Sequence, residues 1–155
     1  MKTLFGVCSI ALALGSLQVL AHGDDPRHPG DDDTFGKPGD PTKVSRTIAV
    51  DMSDAMRFSP SNVRVKKGET VRFVVKNSGR LKHEMVLGTA KELREHAELM
   101  KKFPEMEHED PNQLSLDPGK SGELVWQFTR PGTFEFACLQ PGHFDAGMRG
   151  KIAVQ

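Results

Sequence analysis

The chain has little cysteine, with only Cys8 and Cys138 among its 155 residues. Cys8 lies in an amino-terminal segment that we expect to be removed, so the mature chain keeps Cys138 alone. An intramolecular disulfide is therefore excluded, although an exported protein could hold one. A lone thiol in an oxidising compartment is at risk of oxidation. Cys138 is thus expected to be buried and inert, paired with another chain, or held by a metal.

No apolar run is long enough to span a bilayer. At the amino terminus Lys2 precedes a short apolar stretch that soon becomes polar, which is typical of a secretory signal peptide. Val19-Leu20-Ala21 supplies the small residues that signal peptidase prefers. We therefore expect residues 1–21 to be a signal peptide cleaved after Ala21, and the mature protein to be periplasmic.

The chain also has no excess of charge of either sign, since 21 basic residues balance 21 acidic ones. Cleavage removes only one charged residue, Lys2, so nucleic acid is not expected as a partner. The chain shows no Ser/His/Asp order, no paired-carboxylate pocket and no phosphate-binding glycine loop. Acid–base or nucleophilic catalysis is therefore not expected, although Cys138 and His143 could in principle act as nucleophile and base.

Two regions of different composition follow the signal peptide. Residues 22–43 are rich in His, Asp, Gly and Pro, so we expect a flexible arm. Residues 44–155 instead contain short runs of alternating apolar residues separated by turn residues, which predicts one domain of half-buried strands. The runs are Ile48 and Val50; Val63 and Val65; Val71, Phe73 and Val75; Leu124, Trp126 and Phe128; Phe134 and Phe136; and Ile152 and Val154. Many short strands of this kind predict an all-β sandwich or barrel.

One segment departs from the strand pattern. Thr89 and Glu92 have the spacing of a capping box, and apolar residues then recur at helical spacing until Pro104. We therefore expect a single helix inserted between strands. The charged, turn-prone residues 103–112 after it suit an exposed loop.

The most informative stretch begins at Phe134. In a strand Phe134, Phe136 and Cys138 share one face, so the thiol reaches the strand end pointing inward beside two aromatic rings. A Pro-Gly turn then brings His143 back toward the sulfur. The glycine before Met148 allows a second bend that can present the thioether to the same place.

A thiolate, an imidazole and a thioether on one short loop form a soft, mixed ligand set that prefers copper. Such a site needs two imidazoles, so one histidine must come from elsewhere in the chain. His83 is the best candidate because it opens a predicted strand, as Cys138 ends one. His22 and His28 lie on the predicted arm and His96 lies on the predicted helix, so they are less well placed.

Each of these residues also has a simpler interpretation. Cys138 could be a small buried hydrophobe, and Met148 could pack in the core. The four residues occur together, however, and Gly147 and Arg149-Gly150 indicate a loop around Met148. We therefore favour the copper site.

Further copper sites are also conceivable. His96, Met100, Met106 and His108 could form a second site, because the first two are four residues apart on one helical face. Met100 also extends the apolar face of the helix, so packing is the alternative. After cleavage His22 would offer its amino group and imidazole to one Cu(II), whereas the alternative is a solvated tail.

Several motifs together resemble the cupredoxins, the small blue or green copper proteins. They are Met56-Arg-Phe-Ser-Pro60, the run from Val65 to Asn77, His83, and Cys138-x4-His143-x4-Met148. The resemblance covers about residues 44–155. It implies a Greek-key β-sandwich with one type 1 copper, bound at one end by His83, Cys138, His143 and Met148 and cycling between Cu(II) and Cu(I). The chain departs from many electron-carrying members at Glu84, where they have an Asn that ties the two ligand loops together.

Within that family the chain is similar to the exported copper-tolerance cupredoxins of the CopI type, because of its inserted helix, its Met/His-containing loop and its His-bearing arm. This implies a periplasmic monomer that binds or oxidises Cu(I), with copper ions and a redox or copper-handling protein as partners. The alternative is an electron carrier between redox enzymes, which a hydrophobic patch around His143 would favour. A third hypothesis is a metal-free interaction module whose Cys138 pairs with a partner chain.

Overall fold

The computed structural model describes residues 35–104 and 109–155. The predicted signal peptide, residues 22–34 of the predicted arm and residues 105–108 lie outside the described residues. The described chain is mostly β-strand with one α-helix, which confirms the all-β prediction with an inserted helix. The elements are β1 (Gly36–Pro38), a 3-10 turn (Pro41–Lys43), β2 (Arg46–Ser53), β3 (Arg57–Ser59), β4 (Asn62–Val65), β5 (Thr70–Asn77), β6 (His83–Gly88), α1 (Ala90–Lys102), β7 (Gln113–Leu116), β8 (Ser121–Phe128), β9 (Gly132–Ala137) and β10 (Arg149–Val154).

The strands form two five-stranded sheets. The strand order is β1-β8-β5-β2-β3 in the first sheet and β4-β10-β9-β6-β7 in the second. The pairs β2–β5 and β4–β10 are parallel, and the other neighbours are antiparallel. Because β5 and β6 lie in different sheets, as do β8 and β9, the chain passes between the layers and closes a sandwich.

The core lies between the sheets and follows the predicted alternation. Val71, Phe73 and Val75 of β5 are fully buried, whereas the residues between them are partly exposed. Aromatic rings cross between the layers, as in the edge-on contact of Phe58 with Phe136, whose centroids are 5.0 Å apart. Each such side chain removed from water contributes roughly 1.5–3 kcal/mol, so the sandwich is a rigid frame for residues at its ends.

The helix covers the outer face of the second sheet. Its capping box is formed as predicted, because Thr89 Oγ1 accepts a hydrogen bond from the Glu92 N–H at 3.2 Å and the Glu92 carboxylate accepts one from the Thr89 N–H at 2.8 Å. The apolar face of α1 packs with Val86, Leu139 and neighbouring residues in a second buried cluster. Strand β6 is therefore buried on both faces. No helix in residues 35–104 or 109–155 combines the length and the hydropathy that crossing a bilayer requires.

The predicted flexible arm does not extend to residue 43. Phe35 is 3% exposed, and its ring lies 5.1 Å from that of Trp126 and 5.3 Å from that of Phe134. The next residues form β1, which pairs with the edge of β8. A Cβ at Gly36 would overlap the Trp126 ring and the neighbouring backbone, so glycine permits this close approach. The prediction is therefore wrong for residues 35–43, because one aromatic residue and a free strand edge order a stretch of polar composition.

Candidate metal centre

Two neighbouring strands bring the first candidate ligands together. His83 begins β6, and Cys138 directly follows β9. These strands are antiparallel, with Val86 opposite Ala137, so both residues lie at the same end of the sandwich. Both side chains are fully buried, and Cys138 Sγ lies 4.0 Å from His83 Nδ1. The predicted placement of both residues at strand ends is confirmed.

The loop after Cys138 folds back on itself through a series of tight turns. His143 N–H donates to the Gln140 carbonyl at 3.0 Å, and Met148 N–H donates to the His143 carbonyl at 3.0 Å. Gly142 and Gly147 have φ values of 83° and 87°, which other residues rarely adopt. The loop thereby places His143 Nδ1 3.3 Å from Cys138 Sγ, as the sequence predicted.

The donor atoms of His83, Cys138 and His143 all lie within 4.8 Å of one another. Metal–nitrogen bonds of about 2.0–2.1 Å and metal–sulfur bonds of about 2.3 Å would place such donors 3 to 4 Å apart around one ion, in rough terms. The distances from Cys138 Sγ to His143 Nδ1, 3.3 Å, and to His83 Nδ1, 4.0 Å, lie in this range and fit a single metal ion. Within the described residues no other such group of His, Cys, Asp or Glu side chains was found.

Met148 lies beside two of these residues, Cys138 and His143. Its carbonyl accepts a hydrogen bond from the Cys138 N–H at 3.1 Å, and its side chain is fully buried in the same cluster as Cys138. The backbone thus fixes Met148 between Cys138 and His143. Its role as the fourth ligand remains a prediction.

Burial sets the protonation of the site in the metal-free protein. Desolvation raises the pKa of the Cys138 thiol to about 12, so this sulfur is protonated at neutral pH. Desolvation and the nearby His83 hold the pKa of His143 below its usual range, which leaves its imidazole neutral at that pH. A protonated, buried thiol is a poor nucleophile, which argues against the nucleophile–base alternative. A metal ion must displace the thiol proton to bind.

Glu84 ties the two candidate ligand segments together. Its N–H donates to Cys138 Sγ at 3.4 Å, and its carboxylate accepts a hydrogen bond from the Leu139 N–H at 2.9 Å. The same carboxylate accepts from Ser115 Oγ and Gln140 Nε2, each at 3.2 Å. The residue that departs from the family pattern in sequence therefore joins the loops through a buried carboxylate.

Sequence reasoning missed Asp54, which contacts His83 from the side away from the sulfur. Asp54 Oδ1 lies 3.0 Å from His83 Nε2. Its carboxylate also accepts hydrogen bonds from the backbone N–H groups of Arg80 at 2.8 Å and Leu81 at 3.3 Å. The Arg80 N–H in particular holds the pKa of Asp54 below its usual range. No local sequence signal marks this contact, because 29 residues separate Asp54 from His83.

The residues predicted for secondary copper sites are only partly described. Met100 is 5% exposed and packs in the cluster beneath α1, which favours the packing interpretation. His96 is half-buried and lines a cavity of about 530 Å³ with Trp126 and Leu93. His22, Met106 and His108 lie outside the described residues, so the secondary sites remain predictions.

Known protein structures share this fold. An auracyanin from Roseiflexus castenholzii superposes with a TM-score of 0.63 and 22% sequence identity, over 72% of this chain and 98% of that one. Auracyanin B gives a TM-score of 0.63 at 21% identity, over 79% of this chain and 98% of its own. These likenesses identify the β-sandwich as that of the cupredoxins.

Sequence comparison gives the family. The sequence profile of the copper binding proteins of the plastocyanin/azurin family matches residues 44–155. The copper-resistant cuproprotein CopI of Rubrivivax gelatinosus is 52% identical over 141 residues, covering 91% of this chain and 82% of that protein. CopI of Pseudomonas aeruginosa is 39% identical, covering 82% and 86% of the two chains. The chain therefore belongs to the plastocyanin/azurin family of copper-binding proteins, as a cupredoxin of the CopI type.

Proposed function

We propose that this protein holds one copper ion in a type 1 centre formed by His83, Cys138, His143 and Met148, and that it protects the cell from copper. The convergence of two imidazole nitrogens and one sulfur within 4.8 Å carries the proposal. Two imidazoles, a thiolate and a weak thioether are the ligand set of such centres. The similar proteins of Rubrivivax gelatinosus and Pseudomonas aeruginosa are copper-resistant cuproproteins, which supports the protective role.

The residues of the site each have a distinct task. Bound copper would supply a one-electron couple between Cu(II) and Cu(I). Cys138 gives up its proton to bind the ion, while His83 and His143 each offer the lone pair of a ring nitrogen. The packed sandwich holds these donors in one arrangement, so neither oxidation state requires a large movement of the chain. The concentration of free Cu(I) falls when the site binds the ion. It also falls when the site passes one electron from the bound ion to a one-electron acceptor and keeps the ion as Cu(II).

We further propose that the protein acts in the periplasm as a monomer, after cleavage at about Ala21. Within residues 1–21 a positive charge is followed by an apolar run and then by small residues, and this order supports export. The full burial of Cys138 argues against the metal-free module that pairs through this thiol, because the sulfur cannot reach another chain. An oxidised sample should therefore stay monomeric by mass.

Copper tolerance of a Gram-negative host tests the protective role. The full chain and its Cys138→Ser variant should appear at equal levels in the periplasmic fraction, with the mass of a chain beginning at His22. The wild type should raise the copper concentration that permits growth, and the variant should not. Equal tolerance with both chains would contradict protection through this site, and a cytoplasmic, uncleaved product would contradict export.

Electron transfer is the second candidate function. His143 is half-buried whereas the other three predicted ligands are fully buried, so its ring is the part of the site that is most exposed to solvent. The exposed Leu81, near His83 in sequence, provides apolar surface at the same end of the sandwich. A carrier predicts rapid electron exchange with a redox enzyme and no change in copper tolerance upon Cys138→Ser.

A further inference from the structure

We propose that Asp54 is a positioning residue of the copper centre, which orients the His83 ring with Nε2 protonated and favours Cu(II) over Cu(I) through its negative charge. The inference rests on the proposed function, because it concerns the same copper site. Asp54 lies outside the cupredoxin motifs of the sequence, and only its contacts point to this role.

The two nitrogen atoms of His83 face different groups. Nε2 lies 3.0 Å from Asp54 Oδ1, whereas Nδ1 lies 4.0 Å from Cys138 Sγ. A neutral imidazole carries one proton, and an ionised carboxylate can only accept a hydrogen bond. The proton is therefore held on Nε2, and the lone pair of Nδ1 points toward the sulfur of the site. Partners of this kind fix the tautomer and the orientation of metal-binding histidines.

Asp54 is itself held in place. The Arg80 and Leu81 N–H groups donate to its two oxygens, so the turn between β2 and β3 is fastened to the loop before β6. A Cβ at Gly79 would overlap Asp54 Oδ1 and would lie 3.1 Å from His83 Nε2. Glycine at this position therefore leaves room for the carboxylate and the imidazole to meet.

The charge of Asp54 adds to the effect of its position. A carboxylate on the far side of a ligating imidazole raises the basicity of the ligand. The additional negative charge also stabilises Cu(II) more than Cu(I), because attraction increases with the charge of the ion. The Asp54 side chain is 37% exposed and His83 is fully buried, so solvent weakens this attraction only in part. Asp54 thus lowers the reduction potential of the centre.

The charge and the position can be separated with two variants and a control. Asp54→Asn keeps the size and one acceptor oxygen but removes the charge, and Asp54→Ala removes both. Asp117→Asn removes the charge of an exposed residue in the turn after β7 as a matched control. Affinities for Cu(II) and Cu(I), the reduction potential and the free energy of unfolding of the metal-free chain are measured for each.

We expect Asp54→Asn to bind Cu(II) about tenfold more weakly, with little change in its affinity for Cu(I). For Asp54→Ala we expect the affinity for Cu(II) to fall by about 10- to 100-fold. A tenfold difference between the two ions corresponds to a rise of about 59 mV in potential. Asp117→Asn should match the wild type. The free energy of unfolding should fall less in Asp54→Asn, which keeps one acceptor oxygen, than in Asp54→Ala, which keeps none. Wild-type potentials in both Asp54 variants would overturn the inference.

The metal-free protein gives a second readout that does not depend on copper. Nitrogen-15 spectra of the histidine rings, recorded where imidazole is neutral, should show His83 in the Nε2-protonated form in the wild type. Asp54→Ala should show a mixture of tautomers, and an unchanged spectrum would contradict the positioning role. Failure of the proposed function would appear differently, as a wild-type protein without copper–thiolate absorption.

Discussion

The carboxylate of Glu84 accepts a hydrogen bond from the backbone N–H of Leu139 at 2.9 Å. Glu84 directly follows His83, and Leu139 directly follows Cys138, so the bond joins the segments of two predicted ligands through their immediate neighbours. Because Glu84 is 3% exposed, neither partner can exchange the bond for water in the folded state. This hydrogen bond therefore fixes the two segments relative to each other before any metal binds.

Replacing Glu84 with Ala should destabilise the metal-free protein. The Leu139 N–H would be left buried without its acceptor, and the donors of Ser115 and Gln140 would lose theirs. A buried unsatisfied group costs about 1–3 kcal/mol, so we expect the free energy of unfolding to fall by about 2–3 kcal/mol. Urea denaturation measures the free energy of unfolding of the variant and of the wild type.

Two further variants check the origin of that loss. Glu84→Gln keeps one oxygen for the Leu139 N–H and should lose less, about 1 kcal/mol. Glu95→Ala, at an exposed position of α1, should have no measurable effect. If the free energy of unfolding of Glu84→Ala equals that of the wild type, the hydrogen bonds of the Glu84 carboxylate do not stabilise the site.

Copper binding should depend on pH because of Cys138. Its pKa of about 12 lies above neutrality, so the metal displaces one proton from the thiol at pH 7. The apparent affinity for Cu(II) should therefore rise about tenfold per pH unit between roughly pH 7 and 9. The pKa of His143 is held below its usual range, so the metal should displace a proton from this residue only at acidic pH. Competition titration with a chelator of known affinity measures the slope, and a slope of zero would contradict binding through a buried thiol.

Met148 should affect the spectrum of the site more than the stability of the fold. Met148→Leu keeps the apolar volume but removes the thioether, so the unfolding free energy should change by less than about 1.5 kcal/mol. The visible spectrum and the reduction potential of the copper-loaded protein should nevertheless shift. Met85→Leu is the matched control, because Met85 is also fully buried in the same cluster. Equal spectra for the two variants would contradict the ligand role of Met148.

Phe35 should contribute to the stability of the whole sandwich. Its ring contacts those of Trp126 and Phe134, so Phe35→Ala should cost about 3 kcal/mol. Denaturation followed by the fluorescence of Trp126, the only tryptophan of the chain, measures the change. Phe103→Ala is the control, because this ring is 53% exposed and its loss should have little effect. A flexible arm that includes residue 35 would instead predict equal stability for both variants.

Local patterns were sufficient to predict much of this molecule. Alternation predicted the main strands, and the spacing of Thr89 and Glu92 predicted the helix start that the structure shows. The proximity of Cys138 and His143 was also predictable, because both lie on one short loop bent by Gly142. These features depend on residues that are close in sequence, where backbone geometry leaves few alternatives.

Features that depend on distant packing were not predictable. Strand β1 has three residues and one preceding aromatic side chain, and it is ordered by the free edge of β8. The contact of Asp54 with His83 spans 29 residues, and that of Glu84 with Leu139 spans 55. Both contacts exist because the closed sandwich brings separate loops to one end. Their partners could not be identified before the fold was known.

Visible absorption of the copper-loaded mature chain, measured together with its metal content, tests the central claim most directly. The wild type should show intense thiolate-to-copper absorption with one copper per chain at this site, and Cys138→Ser should lose the absorption. A colourless wild type, or a colour that survives in Cys138→Ser, would contradict a copper centre built on Cys138.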